Sequence, residues 1–364
     1  MLPLEITKLR ADNQRLTKTN LASPDEVVQW LGAVQAQDYA GAKWAIAQRM
    51  NATTDAMLAQ AFADGSIIRT HLLRPTWHFV SPQDIRWLLK LTAPRVLQAL
   101  KYMDRQVELD AVILKKSNAI LIRELKGGKL LTRSELEVIF HKNKIQTTNL
   151  RMTHFMMHAE LDAVVCSGGR RGKQFTYALL DERVPSTKSL TRAEALTELT
   201  RRYFTSRGPA TLQDFVWWSG LTAAEARKGI ESVKSDLHQE TINSQTYWFS
   251  EPQPLPKKKA ATAYLLPNYD EYIVGYTDRS AIYDGSHHTK LDARGNVLFL
   301  NTIVLNGQVR GTWKRTLRKN EVVIELTLFT KTTKAEAHAI TEAAEGYGKF
   351  LQLPVSIQYK RANQ

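Results

Sequence analysis

Residues 67–80 read IIRTHLLRPTWHFV. β-Branched and aromatic residues on either side of Arg74-Pro75 predict two strands joined by a tight turn, because proline fixes φ for a turn and cannot donate into a central ladder. Helices precede this hairpin. Ser23-Pro24-Asp25-Glu26 carries an N-cap serine, a proline at the first helical position and glutamate three residues on, a complete helix start. A further helix spans Asp55–Asp64.

The same sequence of signals recurs downstream. Thr132-Arg-Ser-Glu135, Thr191-Arg-Ala-Glu194, Thr211-Leu-Gln-Asp214, Thr222-Ala-Ala-Glu225 and Thr333-Lys-Ala-Glu336 each set threonine three residues before an acid at the edge of an apolar-periodic run. Hairpins are predicted at Val164–Leu179, about Gly168-Gly169-Arg170-Arg171-Gly172, and at Gln239–Phe249, about Asn243-Ser244. Helices followed by a two-stranded wing thus appear about three times, the pattern of the winged helix-turn-helix. The expected class is α+β: three tandem winged units over 1–110, 111–185 and 186–250, then a linker and an antiparallel β-rich cap over 251–364. Glu251–Lys259 holds three prolines and a lysine run and reads as linker. The cap alternates as a meander over 297–305, 308–316 and 321–329, with a turn at Asn306-Gly307. A helix over about 334–351 and a last strand, 355–359, follow.

Composition narrows the class. Among 364 residues, Lys and Arg number 50 against 36 for Asp and Glu, a net charge of +14 that favours a polyanionic partner such as nucleic acid. The single cysteine, Cys166, excludes an internal disulfide or a CxxC metal centre. No apolar run approaches a membrane span, and the start lacks a secretory h-region, so a cytoplasmic, nucleoid-associated monomer is expected.

Two kinds of residue could carry chemistry. Arg170-Arg171-Gly172-Lys173 forms a basic hairpin tip suited to phosphate, or a solvated charged turn. His71, Trp77 and His78 cluster in the first hairpin, and Trp313 lies in Arg310-Gly-Thr-Trp-Lys-Arg315; both strings mix a stacking face with cations, which suits unstacked nucleic acid. Trp217 and Trp218 read as core. The helix Asp55–Asp64 has no basic residue and is a poor reader of base edges, whereas the third helix of the third unit brings Arg227, Lys228 and Lys234.

Gln35-Ala36-Gln37 is the second kind. If the helix begun at Ser23 continues this far, the two amides fall about 80° to either side of its apolar stripe, near its C-terminus. They cannot then meet one atom unless the helix unwinds. Glutamine has no useful pKa, yet its carbonyl oxygen can hold a water, and a helix C-terminus would favour a developing cation. Bracing of neighbouring backbone is the other reading.

The residues now support a family assignment. The chain resembles the bacterial AlkZ-type alkylpurine DNA glycosylases, a tandem winged-helix superfamily that includes interstrand-crosslink glycosylases. Gln35-Ala36-Gln37 is similar to the family's glutamine, apolar, glutamine motif, with alanine as an unusually small middle residue. Thr70–Val80 resembles its first wing, and Leu266–Ser280 with Gly311–Arg315 its C-terminal region. The resemblance implies a C-shaped scaffold around damaged duplex DNA, with Gln37 orienting the water that attacks C1′ and Gln35 supporting it. With the matched segments and the basic hairpin tip read above taken together, the expected DNA contacts are His71, Arg74, Trp77, His78, Arg170, Arg171, Lys173, Tyr269, Arg279, Trp313 and Lys314. A DNA-probing hairpin is placed at Tyr283–Phe299, with His287 and His288 as its contacts. An N7-alkylated purine is already cationic and leaves readily, so the implied chemistry needs no cofactor or metal and no strong acid. Asp38, the nearest carboxylate, reads as a helix-end ligand. The rival is a non-enzymatic winged-helix transcriptional regulator that reads duplex sequence.

Overall fold

A computed structural model describes residues 3–17, 20–186, 189–250, 261–283 and 299–360. Helices and antiparallel hairpins alternate as expected. Pro24–Leu31, Tyr39–Ala47 and Asp55–Asp64 lead into the hairpin Ile68–Leu72/Thr76–Val80 and then the 22-residue helix Ile85–Gln106. Ala111–Leu125, Arg133–Lys142 and Arg151–Leu161 precede Val165–Arg171/Gln174–Leu179. Arg192–Arg207, Leu212–Ser219 and Ala223–Val233 precede His238–Ile242/Gln245–Phe249. All five predicted threonine capping boxes form, each Thr accepting from the acid's backbone N–H while the acid accepts from the Thr backbone.

The hydrophobic cores cross the chain. One cluster packs Ile68, Leu72, Leu88 and Leu91 against Leu199, Tyr203, Phe204 and Trp218. A second packs Val27, Val28, Leu31 and Val34 against Ile324, Leu326, Ile340 and Tyr347 of the C-terminal region. A third stays within 109–179. Residues 24–80 are therefore clamped between the helices of 192–233 on one side and the C-terminal sheet on the other. Among the described residues no helix is long and apolar enough to cross a membrane.

Three expectations are corrected. The expected meander forms, 302–305, 308–317 and 322–328 pairing antiparallel in turn, but the sheet runs in the order 355–360, 322–328, 308–317, 302–305, 263–266, and its last strand, Val355–Lys360, lies parallel to Val322–Leu328, so the cap is not wholly antiparallel. The intervening helix, Lys334–Leu351, supplies the crossover that parallel strands require. Gly168-Gly169 is not a turn: both glycines lie inside the strand Val165–Arg171 at a register shift, and the chain reverses around Gly172 (φ +61°). A β-carbon at Gly168 would sit 2.4 Å from Thr176 Oγ1, so the irregular ladder needs the bare backbone there.

The third correction concerns the two glutamines. The helix begun at Ser23 ends at Leu31, where Gly32 takes φ +74° and donates to Gln29 O at 3.1 Å. Val34–Gln35 is then a short third strand on the first hairpin, pairing Val34 with Phe79 and Gln35 with His78. Ala36 N extends the ladder by donating to Trp77 O at 2.7 Å. Gly41, which suggested an early helix end, instead lies in the first turn of the next helix, where a β-carbon would press within about 3.1 Å of Pro267 and Asn268.

Candidate active site and nucleic-acid interface

Extended backbone puts residues i and i+2 on one face. Val34 and Ala36 accordingly turn into the core and Gln35, paired with His78, points to the other side of the strand, while Gln37 follows just beyond the strand at a bend. The small middle residue fits there, and its carbonyl accepts from Arg69 Nε at 3.0 Å.

The two amides are held differently. Gln35 is buried, and its Oε1 accepts from Arg74 Nη2 at 2.9 Å. Gln37 is exposed, and its Oε1 takes only a long 3.4 Å bond from Trp77 N. A bond of that length is weak and leaves the oxygen able to accept a shorter one from water.

Beneath them lies a buried ionic anchor. Glu271, with no exposed surface, accepts from Gln35 N at 2.8 Å, Arg207 Nη2 at 2.6 Å and Trp218 Nε1 at 2.9 Å. Arg207, equally buried, also donates to Leu31 O (2.6 Å) and Ala33 O (3.2 Å), gripping the chain on both sides of Gly32. The break from helix to strand is thus held from below by a charge pair that has no contact with solvent. Gly220 (φ +69°) lets the Trp217-Trp218 segment reach the hairpin, since a β-carbon there would lie 2.2 Å from Leu73 O.

Several residues expected to touch DNA are structural instead. Arg74 spends its guanidinium on Trp217 O (3.1 Å), Trp218 O (2.8 Å) and Gln35. Burial pulls its pKa down to about 10, which still leaves it cationic at neutral pH. His71 is buried and pairs through Nδ1 with the buried carboxylate of Glu160, which also accepts from His71 N at 2.8 Å. His78 is fully buried, and burial, then the charge of Arg74, hold its pKa well below the usual imidazole value. It is neutral and has no surface for phosphate. Trp313 is core: only 1% exposed, it donates to Leu266 O at 2.8 Å and meets the Tyr347 ring edge-on at 5.2 Å. Arg171 differs from these: its side chain is 58% exposed, and its surface bonds to Glu135 (2.7 Å) and Leu130 O (2.8 Å) leave it within reach of a phosphate. Arg279 is half-buried, bonded to Ile273 O (3.0 Å) and Thr277 O (3.3 Å), and lies over the Trp217 ring.

Others remain available. Trp77 is half-buried between the His71 ring at 4.4 Å and the Arg69 guanidinium at 4.3 Å. Arg170 is exposed over the rings of Tyr39 and Phe175, and Lys173 and Lys314 are exposed. Tyr269 is half-buried, with φ +61°, its ring edge-on to Phe299; burial, then Asp38, raise its pKa. Trp217 is 40% exposed while Trp218 is core. The hairpin placed at 283–299, with His287 and His288, falls almost wholly on 284–298, outside the described residues.

Asp38 is the N-cap of Tyr39–Ala47, accepting from Ala40 N and Gly41 N at 3.1 Å, with Arg315 Nη2 at 3.6 Å from its other oxygen. Gln37 therefore precedes a helix N-terminus. The field of the helix there is positive, opposite to that expected at a C-terminus, and the local negative charge comes from the Asp38 carboxylate. Glu271, Arg207 and Glu160 were not anticipated. Glu271 stood within the Leu266–Ser280 motif without a capping role, which was its one signal.

A family model described as "DNA glycosylase AlkZ-like" matches residues 28–350. The chain is 24% identical over 360 residues, 92% of each protein, to an interstrand DNA cross-link repair glycosylase of Streptomyces sahachiroi. The solved structure of the Streptomyces sahachiroi DNA glycosylase AlkZ superposes with a TM-score of 0.77 at 22% identity, covering 97% of this chain and 98% of the other, which establishes the shared fold. With the fold matched from end to end and the motif-bearing strand inside the matched span, the chain belongs to the AlkZ-like DNA glycosylase family.

Proposed function

We propose that this protein is a monofunctional DNA glycosylase that hydrolyses the N-glycosidic bond of cationic N7-alkylated purines in duplex DNA, interstrand crosslinks included. The observation that carries the reading is the division of labour between two glutamines two residues apart: Gln35 is spent on Arg74, and Gln37 keeps an exposed carbonyl oxygen. Gln37 Oε1 accepts a hydrogen bond from the water that attacks C1′; as the C1′–O bond forms and the purine leaves as a neutral base, the water's spare proton passes to solvent, and the amide dipole faces the positive charge that grows on the sugar. Gln35 is a positioning residue held by Arg74 and, through its backbone, by Glu271.

The surroundings favour a substrate that brings its own charge. Loss of a neutral purine needs a proton donor, whereas a cationic purine is already a leaving group. Asp38 is committed to its helix cap and Glu271 to three donors, so neither is placed to deliver a proton. Arg170, Lys173 and Lys314 are the exposed cations best suited to backbone phosphate, with Trp77 and Trp217 as half-open stacking faces. The division into winged units at 1–110, 111–185 and 186–250, framing a concave basic surface, belongs to the same reading, as does a cytoplasmic, nucleoid-associated monomer.

The test is excision. Purified protein is incubated in excess with duplex bearing N7-methylguanine and, separately, with a crosslinked duplex, and abasic sites are counted. Release from at least one, with Gln37→Ala losing about 100-fold or more in single-turnover rate while keeping DNA affinity, is expected. Release unchanged in Gln37→Ala overturns the assignment of the water to Gln37, and no release from either duplex overturns the catalytic reading.

A further inference from the structure

The long helix Ile85–Gln106 and the helix Arg151–Leu161 meet at three buried groups that play no part in the site above. His154 and His158 are four residues apart and so lie on one face of their helix. Asp104 reaches them from the other helix: His154 Nδ1 lies 2.7 Å from Asp104 Oδ1, and His158 Nε2 lies 3.1 and 3.0 Å from its two oxygens. The three side chains are no more than 10% exposed, and one ligand atom from each falls within 4.8 Å of the others.

We propose that Asp104, His154 and His158 form a structural binding site for a divalent transition metal ion of the zinc class. Two imidazole nitrogens and one carboxylate oxygen are a donor set that suits zinc, cobalt or nickel and is poor for calcium or magnesium. Without metal, the two rings donate their protons to the carboxylate. With metal, each ring must present the same nitrogen as a lone pair and carry a proton only on the other nitrogen. Tetrahedral bonds of about 2.0–2.1 Å separate ligand atoms by about 3.3 Å. The carboxylate contacts of 2.7 Å to His154 and 3.0–3.1 Å to His158 must open to that spacing, and the two ring nitrogens, within 4.8 Å of each other, must adjust to it.

A groove of about 560 Å³ opens on Asp104 and His158 and is also lined by Asn118 and Asp162. It supplies an entry path and room for water as the fourth ligand, with Asp162, bonded to Asn118 at 2.9 Å, able to accept from that water. Lys101 and Lys115 share the groove's wall, so selection rests on the nitrogen donors and not on a negative field.

The ion's role is mechanical. Glu160, two residues beyond His158 and therefore about 200° around the same helix, holds His71 beneath Trp77. Fixing one face of this helix to Ile85–Gln106 fixes the hairpin that rests on its other face. The proposal is independent of base excision.

The test uses tag-free full-length protein, stripped with a chelator and dialysed. Zinc chloride is titrated by calorimetry, cobalt chloride by visible absorption. One equivalent of zinc, a rise in Tm on its addition, and the intense d–d bands of four-coordinate cobalt are expected. The double variant His154→Gln/His158→Gln should lose at least about 100-fold in zinc affinity, more than loss of a supporting hydrogen bond costs. Should that variant not fold, Asp104→Asn preserves the hydrogen-bonded cluster while removing the charged ligand and should weaken zinc in the same direction. Wild-type protein that takes up no equivalent and gives no four-coordinate cobalt spectrum overturns the proposal. So does a folded variant that binds zinc undiminished, which would place the ion on exposed imidazoles such as His238 or His338.

Discussion

Replacing Glu271 by glutamine tests the anchor under the catalytic strand. The carboxylate has two oxygens and three donors: Oε2 serves Arg207 and Trp218, Oε1 serves Gln35 N. An amide offers one oxygen. The orientation that keeps it on Arg207 and Trp218 satisfies two donors, one of them charged, so the amide nitrogen turns toward the Gln35 N–H 2.8 Å away. The strand amide loses its acceptor and meets a donor. Arg207, with no exposed surface, also loses its counter-charge while keeping the Leu31 and Ala33 carbonyls. Breaking one side of a buried pair costs about 3–5 kcal/mol, and at roughly 2.1 cal/mol/K of unfolding entropy per residue a chain of 364 residues shifts by about 1.3 °C per kcal/mol, so Tm should fall by about 4–7 °C. Single-turnover excision, measured at a temperature where both proteins are folded, should fall by about tenfold or more, with duplex affinity changed little. The companion double change Glu271→Leu/Arg207→Met removes both charges and should recover much of the stability. It should not recover excision, because the Gln35 N–H remains without an acceptor. A single variant within about 1 kcal/mol of wild type and excising at the wild-type rate refutes the reasoning.

Three further perturbations separate structural from interfacial residues. Arg74→Met should lower excision by about 10-fold to 100-fold, the worth of a charged hydrogen bond on Gln35, with DNA affinity unchanged at fixed salt; a phosphate contact would give the opposite pattern. Arg170→Ala/Lys173→Ala should reduce the slope of log affinity against log salt by about 2, measured by fluorescence anisotropy, and leave the single-turnover rate at saturating enzyme intact. His78 is depressed below its ordinary value of 6.5 in the folded state, so between the two pKa values the unfolded chain binds more protons and stability rises with pH. Its contribution is complete above 6.5 and is lost as pH falls below; urea denaturation across this range should show a shallower acid loss in His78→Asn than in wild type.

The features legible in the sequence were the local ones. A capping box joins residues three apart, and all five formed; Asn243-Ser244 and Asn306-Gly307 turned where placed, their residues at positive φ. The helix over 334–351 matched to the residue. Trp313 was misread although the signal was present. Its strand alternates, so Trp313 faces in and Lys314 out, and a period of two should have outweighed the cations beside it. Gly32 was also a readable stop, passed over because Val28, Leu31 and Val34 continue an apolar stripe. What ends the helix is a competing partner strand more than forty residues away, whose Trp77 O accepts from Ala36 N and whose Phe79 pairs with Val34. Glu271 lies 236 residues from the backbone it holds, and no local pattern announces such a partner.

The break at Gly32 also decides the electrostatics of the site. On a continued helix the two amides would have diverged and stood in the negative field of a C-terminus. With the helix ended at Leu31, Gln35 lies on the short strand and Gln37 stands beyond it, just ahead of the N-terminus of Tyr39–Ala47, where the field opposes a developing sugar cation. The Asp38 carboxylate offsets that field, and Arg315 at 3.6 Å offsets part of Asp38 in turn. The net stabilisation left for the sugar is small, a few kcal/mol from one carbonyl dipole and one placed water. A base that leaves only with help gains too little from this site, whereas a base already carrying positive charge needs little more. On the proposed reading, selectivity for alkylated purines arises from the weakness of the machinery as much as from recognition of the lesion, and no snug pocket is needed to exclude normal DNA.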